Sequence, residues 1–301
     1  MLSPLHLLLT SIVDYAGLFP PAQLNLSEAM AIYAQAQSSP QSWILNCFVL
    51  PATHLSNWIK LLPQFSHFSI QPWPLSVILS QNWTTELEQI QSLIAAEKGD
   101  RLQIRTLEVA PLPPSTVASL CRQLPPEIEV FFEIPFDAEL EPYLQSLHQT
   151  GRAAKLRTGG VNSDQFPDSS QLAQRILALA EAAIPFKATA GLHHPLRGRY
   201  ALTYAANSPT ATMHGFLNLA ILAALAYQHS LYQQSLPLEQ AVALLEETSL
   251  AQFQFSNTAI SWRNQFLSTD AIAQTRQLFF RSFGSCSYQD PITDLEQLKL
   301  L

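Results

Sequence analysis

Residues 153–195 read AAKLRTGGVNSDQFPDSSQLAQRILALAEAAIPFKATAGLHHP, and this stretch decides the fold. Two short apolar runs, Ala153–Arg157 and Pro185–Thr189, flank a helix-like segment from Ser169 to Ala183. Each run stops at glycine, Gly159-Gly160 after the first and Gly191 after the second. Strand, helix and strand at this spacing form a parallel βαβ unit. The same alternation continues in both directions. Upstream, strands are predicted at Leu8–Asp14, Trp43–Leu50, Pro74–Leu79, Leu102–Val109 and Glu129–Ile134. Downstream, the eighth is predicted at Ala251–Phe255. Helices are expected at Ser27–Gln37, His54–Leu62, Thr84–Glu97, Ser115–Gln123, Leu140–Gln149, Gly215–Gln228 and Thr269–Phe283, with Gly99, Gly151 and Gly284 at helix ends. About eight βα units in one chain predict a (β/α)8 TIM-type barrel, with a doubly wound open sheet as the alternative. No linker or low-complexity tract interrupts residues 1–301, so a single domain is expected.

Composition narrows the function classes. The chain has 301 residues, 48% hydrophobic, which is enough for a well-buried core. Charged residues make up only 13% and the net charge is −7, so a sequence-independent grip on nucleic acid is not expected. No apolar run is long enough to span a membrane. The Leu-rich opening, Leu2 to Val13, has no basic flank, because the first Lys or Arg is Lys60, and it runs into Asp14. Three scattered cysteines, Cys47, Cys121 and Cys286, fit a reducing cytoplasm. Oligomeric state is not legible.

The scarce residues point to a site. Of five lysines, Lys60, Lys98 and Lys299 fall in helical, solvent-facing contexts, while Lys155 and Lys187 lie inside predicted strands. A buried lysine needs a partner or a task. Arg157 shares a strand face with Lys155. Six of nine glycines lie between Gly151 and Gly215, and Gly159, Gly160 and Gly191 can bring backbone amides close to an anion. The loop from Leu192 to Thr212 adds His193, His194, Arg197 and Arg199, and its length marks it as functional or disordered. Ser256–Phe266 is expected as a second loop on the mouth. Arg197 and His214, near the start of the helix at Gly215, suggest an anion site at free helix amides.

The motifs KLRTGG, KATAGLHHP, DYAGLFPPA, HGFLN and FGSCS resemble a family of uncharacterised bacterial barrel proteins over essentially the full length. Lys155-Leu-Arg-Thr158-Gly159 and Lys187-Ala188-Thr-Ala-Gly191 also resemble the lysine motifs of class I aldolases of the deoxyribose-phosphate type. That resemblance implies lyase chemistry in which Lys155 forms a Schiff base and Lys187 lowers its pKa. The acidic strand motif of those aldolases has at best a distant counterpart in LEVA, and GSCS is expected at a helix end on the opposite face.

A substrate that is a small anionic carbonyl metabolite then needs catalytic Lys155 and Lys187, an acid/base from Glu133, Glu108 or Asp14, and His193 as proton shuttle. Arg157, Gly159, Gly160, Thr189, Gly191, His194, Arg197 and His214 are expected to bind its anion. No motif implies a cofactor or metal. The alternatives are a metal-dependent sugar isomerase or hydrolase using Asp14, Glu133, His193 and His214, and a non-catalytic small-molecule-binding barrel. Lys155, Arg157 and Lys187 can also simply be neutralised by Glu108 and Glu133. Cys286 is not expected to be a nucleophile, since the sequence places only Arg281 near it.

Overall fold

In the computed structural model, which describes residues 3–68, 70, 72–97 and 102–301, the chain starts as a helix where its apolar run predicts a strand. Ser3 caps the His6 amide and Pro4 takes a first-turn position, so Leu5, Leu8 and Leu9 bury one face of α1 (Pro4–Leu9). Only Val13–Tyr15 remains extended, as β1. The order continues as predicted to within a few residues: α2 (Leu26–Gln37), β2 (Leu45–Pro51), α3 (Leu55–Leu61), β3 (Trp73–Leu79), α4 (Trp83–Glu97), β4 (Leu102–Val109), α5 (Pro114–Cys121), β5 (Glu129–Glu133), α6 (Glu141–Thr150), β6 (Ala153–Arg157), α7 (Ser169–Glu181) and β7 (Phe186–Thr189). Gly151 closes α6 at φ 64°, as its position predicts. Lys98 and Gly99 lie outside the described residues.

After β7 the pattern changes. The long loop folds as an antiparallel hairpin, β8 (Gly198–Ala201) and β9 (Thr210–Met213), and leads into α8 (Phe216–Leu231), apolar almost all round and buried. Then come α9 (Leu238–Leu245) and an antiparallel three-stranded sheet, β10 (Phe253–Phe255), β11 (Ala259–Trp262) and β12 (Gln265–Ser268). The chain ends with α10 (Thr269–Leu278), β13 (Phe280–Ser285) and α11 (Gln289–Gln297).

Eight parallel strands close in the order β1-β13-β7-β6-β5-β4-β3-β2, giving a (β/α)8 TIM-type barrel ringed by helices. Its eighth strand is β13 and not Ala251–Phe255. The predicted helix Thr269–Phe283 forms only as far as Leu278, because Phe279 leaves helical geometry, at φ −132°, and Phe280 to Ser285 are taken up between β1 and β7. Gly284 is accordingly a strand residue, and FGSCS runs out on the mouth. Ser256–Phe266, expected on the mouth, belongs to the side sheet, which packs against α1, α8 and α10. There Trp262 and Arg263 donate to Glu247 at 3.3 and 3.1 Å.

Strand alternation sorts the residues. On β6 and β7, Ala154, Leu156, Phe186 and Ala188 join the apolar layer beneath the helices, while Lys155 and Lys187 face the barrel interior as a register pair. At the opposite end of the barrel, half-buried Arg276 donates to the carbonyls of Thr10 and Ser11, each at 3.1 Å, and of Phe280 and Arg281. It stitches the start of β1 to the start of β13.

Candidate active site

The barrel interior holds a chain of alternating charge. Arg157 Nε donates to Glu133 Oε1 at 2.9 Å. Glu133 Oε2 lies 3.0 Å from Lys155 Nζ, and Lys155 donates to Glu108 Oε2 at 3.1 Å. Glu108 Oε1 accepts from Lys187 at 2.6 Å, and Lys187 also donates to Asp14. Three cations thus meet three carboxylates in strict alternation. Hydroxyls and amides complete it. Ser76 Oγ donates to Glu108 at 2.7 Å, and Asn46 Nδ2, the Cys47 amide and Ser282 Oγ donate to Asp14 at 2.7, 3.1 and 2.6 Å. Every barrel strand contributes a member.

Burial and pairing compete at each group. Burial opposes ionisation of Glu108, yet the charges of Lys187 and Lys155 outweigh it and hold the carboxyl below its usual range. Glu133 is likewise lowered against its burial by Lys155 and Arg157. Lys187, 1% exposed, is pushed up against burial by Asp14 and Glu108. Its ammonium is therefore stabilised, and it shares Glu108 with Lys155.

A cavity of about 430 Å³ opens above this chain at the C-terminal ends of the strands. Among the described lysines, Lys155 is the one that borders it, together with Glu108, Arg157, Gly160, Thr189 and Gly191. Asp14, Glu133 and Lys187 are not among its lining residues. Gly159 is needed for packing: a Cβ there would stand 2.9 Å from the Gly191 Cα, so two glycines let the ends of β6 and β7 touch. The β8–β9 hairpin covers one side, where His194 stacks on Tyr200 at 3.5 Å and bonds Asp294 Oδ2 of α11 at 2.6 Å.

The lip beside the hairpin carries groups that the sequence did not bring together. His193 Nδ1 lies 3.2 Å from Asp290 Oδ2, and its Nε2 lies 3.9 Å from Cys286 Sγ. Tyr204 donates to Asp290 at 2.8 Å and lies 3.8 Å from the same sulfur. Burial works against protonation of His193, but its hydrogen bonds to Asp290 and Cys286 raise it to about 9. Asp290 is lowered despite burial, chiefly by His193 and Tyr204. These groups converge because β13 delivers Cys286 to the mouth and α11 follows at once. The signal available in the sequence was FFRSFGS, short and aromatic, ahead of a second helix.

Other predicted contacts are drawn away from the cavity. Arg197 Nη1 donates to Ser169 Oγ at 2.8 Å and to His214 Nδ1 at 3.2 Å. Because arginine only donates, His214 Nδ1 accepts and Nε2–H donates to the Pro167 carbonyl at 2.8 Å. The imidazole is then neutral, in keeping with burial and Arg197 lowering its pKa to about 4. The first α8 amides, expected to receive an anion, donate instead to the carbonyls of His194 and Pro195 at 2.9 and 3.0 Å. Asp14, Glu133, His193 and His214 are not gathered at one point, and the described residues contain no cluster of three or more His, Cys, Asp or Glu arranged to hold a metal. No helix among the described residues is long and apolar enough to cross a membrane.

No protein-family model matches this chain, and no curated protein sequence matches it. The fold and the site geometry carry the functional reading.

Proposed function

We propose that this barrel is an enzyme of the aldolase-like lyase class, acting on a small anionic carbonyl compound through the amine of Lys155. The observation that carries the reading is the position of Lys155. It borders the cavity while two carboxylates stand 3.0 and 3.1 Å from its Nζ. The barrel end where this cavity lies is also where TIM-barrel sites form.

The chemistry follows from that position. Lys155 passes a proton to Glu133 Oε2, and the freed amine attacks the substrate carbonyl carbon. Return of the proton expels water from the carbinolamine and leaves an iminium ion. The iminium draws electrons from the neighbouring C–C bond, which then breaks or forms, with Glu108 or Glu133 exchanging the proton. Lys187 keeps Glu108 ionised, and Asp14 positions Lys187. Arg157, half exposed beyond its bond to Glu133, meets the anionic group beside Thr189, Gly160 and Gly191.

A second reading, a small-molecule-binding barrel without turnover, is favoured by one observation: each interior lysine already has two carboxylate partners. Borohydride trapping separates the two readings. The protein is incubated with a panel of small keto acids and hydroxyaldehydes, reduced, and read by intact and peptide mass. The expected result is an irreversible adduct on Lys155, none on Lys187, and none in Lys155→Arg, which keeps the charge. Binding of a panel compound with no adduct at Lys155 would establish the binding barrel instead.

A further inference from the structure

We propose that Cys286, His193 and Asp290 form a second nucleophilic centre, which transfers the acyl group of a small ester or thioester through a thioester on Cys286. This centre does not depend on Lys155 reacting.

The geometry assigns the roles. Asp290 fixes the ring through Nδ1, which turns Nε2 toward the sulfur at 3.9 Å. A histidine held between a carboxylate and a thiol takes the thiol proton and presents a thiolate–imidazolium pair. The raised pKa of His193 agrees with this arrangement. Tyr204 braces Asp290 from the hairpin side.

Two further observations point to a ligand with two parts. A second cavity, also about 430 Å³, lies between α2 and α11 on the far side of the thiol. Cys286 and Tyr204 are the residues that line both cavities, so the sulfur stands at the neck between them. One half of a substrate fits the chamber over Lys155. The other fits the outer groove, whose walls include Leu24, Ile32 and Tyr288. Tyr15 also lines this groove. It is 1% exposed, and its hydroxyl has no hydrogen-bond partner among the described residues. A buried donor left open beside the nucleophile can serve the oxygen that becomes negative during acyl transfer.

In the acylation step Sγ bonds to the acyl carbon, and the bond from that carbon to the leaving oxygen or sulfur breaks. The leaving group takes the proton from His193 Nε2. Water then gives a proton to His193, attacks the thioester and releases the acid, and the thiol is regenerated. The net reaction is hydrolysis of the ester by water.

Two measurements on the whole protein test this. Iodoacetamide labelling, mapped by peptide mass, compares each cysteine with itself at about pH 6 and about pH 9, which cancels differences in access. An ordinary thiol such as Cys121 should slow about a hundredfold or more at the lower pH, while Cys286 should slow less than tenfold. In His193→Gln, Cys286 should regain the ordinary dependence. Separately, p-nitrophenyl octanoate and p-nitrophenyl acetate are added, and adducts are read by intact mass. An acyl adduct on Cys286 is expected, forming faster with octanoate, absent in Cys286→Ala and slowed at least tenfold in His193→Gln. Tyr15→Phe should slow acylation at least tenfold while leaving the melting temperature unchanged or higher, which a purely structural tyrosine would not do. An ordinary pH dependence at Cys286, or no acyl adduct there, overturns the proposal.

Discussion

On the floor of the cavity each lysine touches two carboxylates, whereas on the lip a single histidine meets one carboxylate and a thiol. The floor is assembled from all eight barrel strands, and neighbours of opposite sign hold Glu108, Glu133 and Lys187 ionised. The lip is assembled from the ends of β7 and β13, the hairpin and α11, and it includes a group whose pKa lies within working range. Rigid strands suit a fixed arrangement of charge, while segments beyond the strand ends can bring together groups from distant parts of the chain.

The largest expected effect comes from breaking the floor. Lys187→Met leaves Asp14 and Glu108 buried with a missing countercharge, and loss of one partner of a buried pair costs roughly 3–5 kcal/mol. Urea unfolding should show that loss, and adding Asp14→Asn should recover part of it. If Lys187→Met unfolds at the wild-type midpoint, the floor is not held by its charges.

Next in size is a difference in pH response. Glu108 and Glu133 have lowered folded pKa values, so their stabilisation is complete above the ordinary carboxylate range, near pH 4.3 for an unfolded glutamate. It is lost only as pH falls through the depressed values. His193 behaves in the opposite sense. Raised to about 9, it contributes stability that is complete below about pH 6.5 and is lost as pH rises through about 9. Urea midpoints measured across both windows should therefore fall at the acid end through the floor and at the alkaline end through the lip. His193→Gln should flatten the alkaline decline and leave the part of the acid limb set by Glu108 and Glu133 in place, while the Asp290 part is reduced; an unaltered alkaline slope would show that the lip does not titrate as described.

The smallest effect is Tyr204→Phe, which removes one hydrogen bond to Asp290 and should cost about 1 kcal/mol. The useful readout is the His193 titration by NMR, which should move upward, because Tyr204 and His193 share Asp290 Oδ2 and losing one donor leaves more of that oxygen's charge to the ring.

The floor was largely legible in the sequence. Strand lysines are rare enough to stand out, and period-two alternation places Lys155, Arg157 and Lys187 on one face without any tertiary information. Glu108 was harder to rank, because its role depends on a shear that brings β4 within reach of both β6 and β7. Of the lip triad, only His193 stood out in the sequence. Cys286 looked isolated because Phe279 and Phe280 continue an apolar spacing that a helix also satisfies, and only closure of the barrel selects a strand there. Asp290 and Tyr204 are 97 and 86 residues from the groups they meet, His193 and Asp290 respectively, and no local pattern links them. Arg197 and His214 were misplaced for the converse reason. Their residue types suit an anion, but Ser169, Pro167 and the α8 entry claim them first.

The alternating row from Arg157 to Asp14 also constrains how this protein can change over time. Each interior member sits between two of opposite sign, so a single replacement leaves its buried neighbours short of a countercharge. A tolerated change therefore comes as a matched pair, one cation with one carboxylate. Descendants that lose the row would be expected to lose it in such pairs, with few viable steps between.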